Sequence, residues 1–169
     1  MAHGPGTRRL ALAFGTLLLA ALPAAARCTD AARPDVEWRR CLLDQRDLRG
    51  VDLTGARLRD SSLSRAQLQD ARMARVDAVD ARFVSADLTN ADLSDAVLRN
   101  ADLTRATLRG ARLMRADLRQ ARMFRADLRE VDLSGAELQG ADLSGVMLDG
   151  ARWTDGETIC AAGSVGGCQ

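Results

Sequence analysis

The sequence repeats every five residues from Val36 to Asp155 without a single insertion. This stretch divides into 24 units, of which residues 86–90 (ADLTN) are representative. The third residue of every unit is apolar, usually Leu, and the first is Ala, Val, Ser or Cys in all units but one, which begins with Arg46. A period of five matches neither the 3.6-residue period of an α-helix nor the two-residue period of a strand. The chain is therefore predicted to turn a corner once per unit.

The first and third residues of each unit are predicted to point into the structure, while the other three face water. Small first residues fit this arrangement, because a corner brings backbone segments close together and a larger side chain would overfill the interior. The alternation of a small residue and Leu across one polar residue also matches the pleat of a short strand. Aromatic residues make up only 3% of the chain, so the predicted core is aliphatic.

The units resemble those of the pentapeptide-repeat family, written A-(D/N)-L-x-x, and the ADLTN unit matches that pattern directly. The resemblance covers Val36 to Asp155 and implies an all-β fold, a right-handed quadrilateral β-helix with four units in each coil. The 24 units would then form about six coils, capped at both ends. Ala78 is unusually small for an inward third residue, and the larger Met73 and Phe83 beside it are predicted to fill the space.

The chain is predicted to have four parts. Residues 1–26 have the features of a signal peptide, with a basic start, an apolar run and a small-residue cleavage site ending at Ala26. Residues 36–155 form the β-helix, and residues 27–35 and 156–169 form caps, since a solenoid otherwise exposes unpaired edges. The mature protein is therefore predicted to be periplasmic or secreted.

Three alternatives concern the first residues of the chain. A membrane anchor fits less well, because the apolar run from Leu10 to Leu22 is shorter than the ~20 residues that span a bilayer. A lipoprotein would need a small residue before Cys28, where this chain has Arg27. Residues 7–10 (TRRL) resemble a twin-arginine signal weakly, so the export route stays open.

The four cysteines fall into two groups, Cys28 with Cys41 and Cys160 with Cys168. Four cysteines allow three pairings. In a rod of this length, cysteines at opposite ends cannot bring their Cα atoms within ~7 Å, so two local disulfides are predicted. Export to an oxidising compartment favours both. Zinc is the competing interpretation, but the spacing contains no C-x-x-C and the mature chain has no His.

Charge and composition limit the chemistry available. Cleavage after Ala26 would remove His3, Arg8 and Arg9, leaving 22 arginines against 23 acidic residues and no His, Lys or Tyr. A near-neutral chain is a poor nucleic-acid binder, which needs excess positive charge, and equally a poor mimic of DNA. Acid–base catalysis needs a cleft that shifts pKa values, which a straight rod does not offer. We predict no catalytic residue, cofactor or metal.

The surface suggests protein binding. Apolar residues at outward positions and two arginines form the predicted interaction patch, which consists of Val84, Arg99, Met114, Arg119 and Phe124. Arg99 and Arg119 also belong to a fourth-position arginine stripe that nearby Asp77 and Asp117 are expected to balance.

The predicted function is that of an exported, non-enzymatic structural or protein-interaction module with an unidentified protein partner. It would be a monomer or a homodimer formed through a cap, without membrane or nucleic-acid contacts. A cytoplasmic location would favour the alternative, a DNA mimic that protects a topoisomerase such as gyrase. A sugar-binding or enzymatic β-helix is less favoured, because exposed aromatic residues for stacking on sugars are few.

Overall fold

The computed structural model describes Met1 and residues 28–169. Apart from Met1, the predicted signal peptide therefore lies outside the described residues. Parallel β-bridges join the second residue of each unit to the residue twenty positions later, from Glu37 with Arg57 to Asp132 with Arg152. These are single-residue bridges, and residues 28–169 contain no helix and no longer strand. Each twenty-residue coil thus has four sides, with one bridge on each side.

We number the four faces of the coil by the first unit on each. Face 1 begins with residues 36–40, face 2 with residues 41–45, face 3 with residues 46–50 and face 4 with residues 51–55. Every unit twenty residues later lies on the same face, one coil further along the rod. Units ten residues apart lie on opposite faces.

Backbone hydrogen bonds connect successive coils in the same way at almost every unit. The second residue donates to the coil before, the third and fifth donate to the coil after, and the first residue of the next unit closes the corner on the third. In the unit of residues 91–95 these bonds are Asp92 N–H to Ala71 C=O (2.9 Å), Leu93 N–H to Arg112 C=O (2.8 Å), Asp95 N–H to Met114 C=O (2.9 Å) and Ala96 N–H to Leu93 C=O (3.1 Å). Four of the five backbone donors of a unit are therefore used in this way, and the N–H of the fourth residue is left for another acceptor.

The fifth residue of each unit adopts a left-handed backbone conformation. Its φ angle lies between +55° and +73° in every unit from the one ending at Arg40 to the one ending at Gly150. Only Gly, Asn and Asp adopt this region readily. These three types occupy 14 of the 24 fifth positions, so the corner explains a preference that hydrophobic periodicity does not reveal.

The core confirms the predicted inward positions. First and third residues from Val36 to Leu133 are almost all buried, with Leu103 and Ala121 among those fully shielded from solvent. Arg46, the exceptional first residue, stays exposed and donates from Nη2 to the Cys28 carbonyl at 3.2 Å. The aliphatic interior therefore continues along the rod without a polar interruption at that unit.

Ser61 is a buried first residue whose hydroxyl forms hydrogen bonds with two backbone groups. Its Oγ donates to the Trp38 carbonyl and accepts the Cys41 amide N–H at 3.1 Å. Ser61 is 0% exposed, so both backbone groups would lose their partner if alanine replaced it. The hydroxyl thus ties the first coil to the second.

Ala78 lies in the buried core together with larger residues. Ala78, Met73, Phe83 and Val76 are all fully buried, and the bridge from Asp77 to Val97 continues the stack past this level. The larger neighbours therefore lie beside the small residue, as the sequence predicts.

We expect Ala78→Leu to lower the free energy of unfolding by about 1–3 kcal/mol, because the added side chain overfills a packed region. Urea denaturation of the variant and the parent protein measures the difference. A more stable variant would contradict this expectation, since it would mean that the leucine fills an empty cavity beside Ala78.

The C-terminal tail folds back over the last coil. Antiparallel bridges join Met147 to Val165 and Arg152 to Ile159, so residues 156–169 pair with the edge of faces 3 and 4. Leu138 and Leu143, on faces 1 and 2 of the same coil, remain only half-buried. The bridges of the tail are therefore to faces 3 and 4 of the last coil.

Both predicted cysteine pairs lie at disulfide distance. The sulfur atoms of Cys28 and Cys41 are 2.05 Å apart, and those of Cys160 and Cys168 are 2.09 Å apart. No cysteine in residues 28–169 is free, and these residues include all four cysteines of the sequence. One pair joins the segment before the repeats to the first coil, and the other lies within the C-terminal tail.

Candidate interaction surface

The five residues of the predicted patch do not lie together, so that prediction is wrong as a single surface. Arg99 and Arg119 are neighbours on face 1, whereas Val84 and Phe124 share face 2 and are two coils apart. Met114 lies on face 4, opposite Phe124. Successive units lie on successive faces of the coil, so the outward residues of different units point in different directions. Choosing residues by their polarity alone ignores this change of direction. Phe124 is 37% exposed, while Val84 and Met114 are half-buried.

The fourth-position arginine stripe on face 1 is neutralised by acidic neighbours. Arg59 Nε lies 2.6 Å from Asp77 Oδ2, and Arg99 Nε lies 3.6 Å from Asp117 Oδ2. Arg119 reaches both Asp117 (2.8 Å) and Glu137 (3.2 Å). The expected balance of charge on this face is therefore present, and the stripe offers little net attraction to an acidic partner.

Aspartate at the second position has a local role that repeats along the rod. Its Oδ1 accepts the backbone N–H of the fourth residue, a group that the coil-to-coil bonds leave free. Asp92, for example, accepts the Ser94 amide at 3.0 Å and the Ser94 hydroxyl at 2.6 Å. The same amide bond is made by Asp47, Asp52, Asp87, Asp102, Asp117, Asp127, Asp132 and Asp142. The aspartate of the repeat thus stabilises the turn within its own unit.

These hydrogen bonds keep several carboxylates ionised. The Arg49 side chain and amide lower the pKa of Asp47 from 3.8 to about 2. The Arg119 guanidinium lowers the pKa of Asp117, and the Arg129 guanidinium lowers that of Asp127. All these shifts favour the charged form, which is the opposite of what a general acid at neutral pH needs.

The lowered pKa values predict how stability depends on pH. A carboxyl whose pKa is lower in the folded state stabilises the fold above its unfolded value, near 4, and this contribution is lost as pH falls through the folded value. Residues 28–169 contain no His, Lys or Tyr, so little titrates between about pH 6 and pH 9. We expect a melting temperature that is nearly constant over this range and falls by several degrees between about pH 5 and pH 2.

Thermal unfolding followed by circular dichroism across pH measures this dependence. Asp127→Asn keeps the acceptor oxygen but no longer titrates, so its melting temperature is expected to fall less on acidification. A melting temperature that rises as the pH drops from 5 to 2 would contradict the assignment.

The surface within the described residues contains shallow grooves. One, of about 430 Å³, is lined by Arg39, Arg40, Arg59 and Asp60. A second, of about 270 Å³, lies on face 2 and includes Arg65, Arg82, Arg105 and Val84. No group of three His, Cys, Asp or Glu side chains in residues 28–169 is arranged to hold a metal ion. The same part of the chain has no helix that is both long and apolar enough to cross a bilayer.

A comparison with sequence models of known protein families shows which family the chain belongs to. The sequence model described as pentapeptide repeats matches residues 41–77, 81–120 and 121–152, in eight copies. The chain belongs to the pentapeptide-repeat family. Proteins of this family form right-handed β-helices, in agreement with the twenty-residue bridge period.

Solved structures of other pentapeptide-repeat proteins are similar to this one. HetL, involved in heterocyst differentiation regulation in the cyanobacterium Nostoc sp. strain PCC 7120, is 25% identical, with 76% of this chain and 77% of HetL covered and a TM-score of 0.45. A thylakoid-lumen protein of Arabidopsis thaliana is 23% identical, with 67% and 72% covered and a TM-score of 0.34. QnrB1, a plasmid-mediated fluoroquinolone resistance protein, in a trypsin-treated form, is 24% identical, with 70% and 68% covered and a TM-score of 0.31. No curated protein matches the chain.

Proposed function

We propose that this pentapeptide-repeat protein is exported and acts without enzymatic activity as a protein-interaction module. The observation that supports this most is the pairing of all four cysteines, Cys28 with Cys41 and Cys160 with Cys168. Structural disulfides persist in oxidising compartments and are rare in a reducing cytoplasm. The apolar run and the cleavage site ending at Ala26 provide the route out of the cytoplasm.

The proposed domain organisation follows the same logic. Residues 36–155 form about six coils, residues 27–35 close the first coil and residues 156–169 close the last. Support comes from the antiparallel pairing of the tail and from the disulfide at each end. Because Leu138 and Leu143 of the last coil remain only half-buried, this end is also where a second copy would dock in a homodimer.

The non-enzymatic part of the proposal rests on the side chains available. In residues 28–169 the ionisable side chains are those of Asp, Glu and Arg, because the four cysteines are disulfide-bonded and do not titrate. The repeat spreads them over the outside of the rod, where ion pairs and turn hydrogen bonds engage many of them. Lowered pKa values, as at Asp127 and Asp132, make these carboxylates weak general bases for a neighbouring hydroxyl.

Cell fractionation tests the proposal. The full chain and a variant lacking residues 2–26 are produced with a C-terminal epitope tag in a Gram-negative host. We expect the full chain in the periplasm or medium, beginning at Arg27 by N-terminal sequencing, and the shortened chain in the cytoplasm. A full chain that stays in the cytoplasm with its first residues intact would contradict export and make an intracellular target, such as a topoisomerase, the leading hypothesis.

A further inference from the structure

Face 2 carries arginines that have no acidic partner. Arg65, Arg82, Arg105 and Arg125 all lie on this face, and none forms an ion pair with any described residue. By contrast, thirteen other arginines of the described chain do form ion pairs, including all four of the face 1 stripe. The largest group of unpaired arginines in residues 28–169 is therefore on face 2, not on the stripe that the sequence draws attention to.

Three of these arginines line one groove. Arg65, Arg82 and Arg105 surround a depression of about 270 Å³ on three successive coils, with Val84 among its walls. We call these four residues the arginine groove. Phe124 and Arg125 follow on the next coil, with the Arg125 guanidinium 5.0 Å from the centre of the Phe124 ring. The Phe124 ring thus adds apolar surface on the coil that follows the three arginines of the groove.

Two acidic residues lie at or near the arginine groove. Asp44 also lines the depression, where its carboxylate accepts the Ser62 hydroxyl at 2.5 Å and the Ser64 amide at 2.8 Å. Asp102 pairs with Arg122 at 2.9 Å. The three guanidinium groups of the groove thus outnumber its one carboxylate, and none of them forms an ion pair with it, so they are left to pair with a ligand.

We propose that the arginine groove binds an extended acidic segment of a partner protein, in which carboxylates alternate with apolar side chains. This inference rests on the proposed role in protein interaction and names the partner's chemistry. The guanidinium fork binds carboxylates in a bidentate manner. Arginine and aromatic residues are also enriched among the interface residues that contribute most of the binding energy. Val84 and Phe124 favour a peptide over an acidic glycan, which would use the charges alone.

The dimensions agree with this ligand. Arg65 and Arg125 are three coils apart, which corresponds to about 14 Å at a spacing of ~4.8 Å. An extended chain of about five residues spans that distance. A segment of this length brings two or three carboxylates to the groove and places an apolar side chain between them.

A pair of matched variants tests the proposal. The groove variant combines Arg65→Gln, Arg82→Gln and Arg105→Gln, and the control variant combines Arg72→Gln, Arg75→Gln and Arg115→Gln. The control arginines lie on face 4, opposite the groove, and occupy the same unit positions, so both variants lose the same charge. Glutamine already stands at these unit positions in Gln45, Gln67 and Gln120, and Gln45 and Gln120 have φ angles of 60° and 61°.

The probe is a fluorescein-labelled peptide of about eight residues that alternates Glu and Leu, enough to span the groove. Fluorescence anisotropy at low ionic strength measures its binding to the parent protein and to both variants. A peptide with Gln for Glu reports the charge requirement, and an oligogalacturonate competitor represents an acidic glycan. Equal melting temperatures establish that the variants are folded.

We expect the groove variant to bind the peptide at least about tenfold more weakly than the parent, and the control variant to bind within about twofold of it. Phe124→Ala is expected to weaken peptide binding but not glycan binding. The proposal is overturned if the peptide does not bind, if both triple variants lose affinity equally, or if the glycan alone binds. None of these outcomes bears on the proposed export, which the fractionation experiment tests separately. A failure of the groove proposal and a failure of the proposed function are therefore distinguishable.

Discussion

Replacement of Leu103 by alanine is expected to lower the free energy of unfolding by about 2–5 kcal/mol. Leu103 is 0% exposed and lies on face 2 in a middle coil, with the buried Phe83 one coil before it and the buried Met123 one coil after it. Hydrogen bonds hold the neighbouring coils in place, such as that from the Leu103 N–H to the Arg122 carbonyl at 2.7 Å, so the stack cannot easily close over the cavity. The free energy lost when apolar atoms are removed from the core and the cost of the remaining cavity therefore add together.

Urea denaturation measures this effect, with Leu138→Ala as the matched control. Leu138 occupies the same unit position in the last coil but is only half-buried, and the bridges of the tail are to faces 3 and 4 of that coil. Its truncation is expected to cost clearly less, since less apolar surface leaves contact with the core. Equal losses at Leu103 and Leu138 would contradict the described burial of the two positions.

Replacement of Trp38 by alanine is expected to cost about 3–5 kcal/mol. Trp38 is fully buried on face 1 of the first coil, the coil that the Cys28–Cys41 disulfide joins to the preceding segment, and the Ser61 hydroxyl bonds its carbonyl. Truncation would expose the end of the aliphatic stack to water. It would also remove the largest apolar side chain that shields this end.

Trp38→Phe is the control, and thermal unfolding of both variants makes the comparison. The indole Nε1 of Trp38 is buried without a hydrogen-bond partner among the described residues, so phenylalanine loses volume but also removes an unsatisfied donor. We therefore expect the phenylalanine variant to retain most of the stability that the alanine variant loses. An alanine variant as stable as the parent would show that Trp38 does not close the first coil.

The coiled architecture could be predicted from the sequence because one rule applies to every unit. An apolar third residue and a small first residue define an inside, and an unbroken register from Val36 to Asp155 leaves a repeating corner as the simplest solution. The left-handed fifth residue could have been found in the same way, from the frequency of Gly, Asp and Asn at that position. Polarity alone conceals it, because Arg125 and Glu130 adopt the same conformation.

The surface could be predicted much less well. Arg105 is exposed and Arg119 half-buried, and both stand in similar units of neighbouring coils, yet Arg119 pairs with Asp117 and Arg105 has no acidic partner among the described residues. The Arg119–Asp117 pair lies within one unit, whereas pairs between coils, such as Arg115 with Asp95, depend on a register and a rotamer that the linear sequence does not state. For the same reason Met114 and Phe124, grouped by polarity, prove to lie on opposite faces.

An exported rod with a disulfide at each end is tested most directly by a non-reducing tryptic map of thiol-alkylated protein from the periplasm. Trypsin cleaves after arginine but not before proline, so Cys28 falls in residues 28–39, Cys41 in residues 41–46, and both remaining cysteines in residues 153–169. We predict a linked species of the first two peptides and a C-terminal peptide lighter by two hydrogen atoms, with no alkylated cysteine. Alkylated thiols, or a link between residues 41–46 and 153–169, would contradict this arrangement.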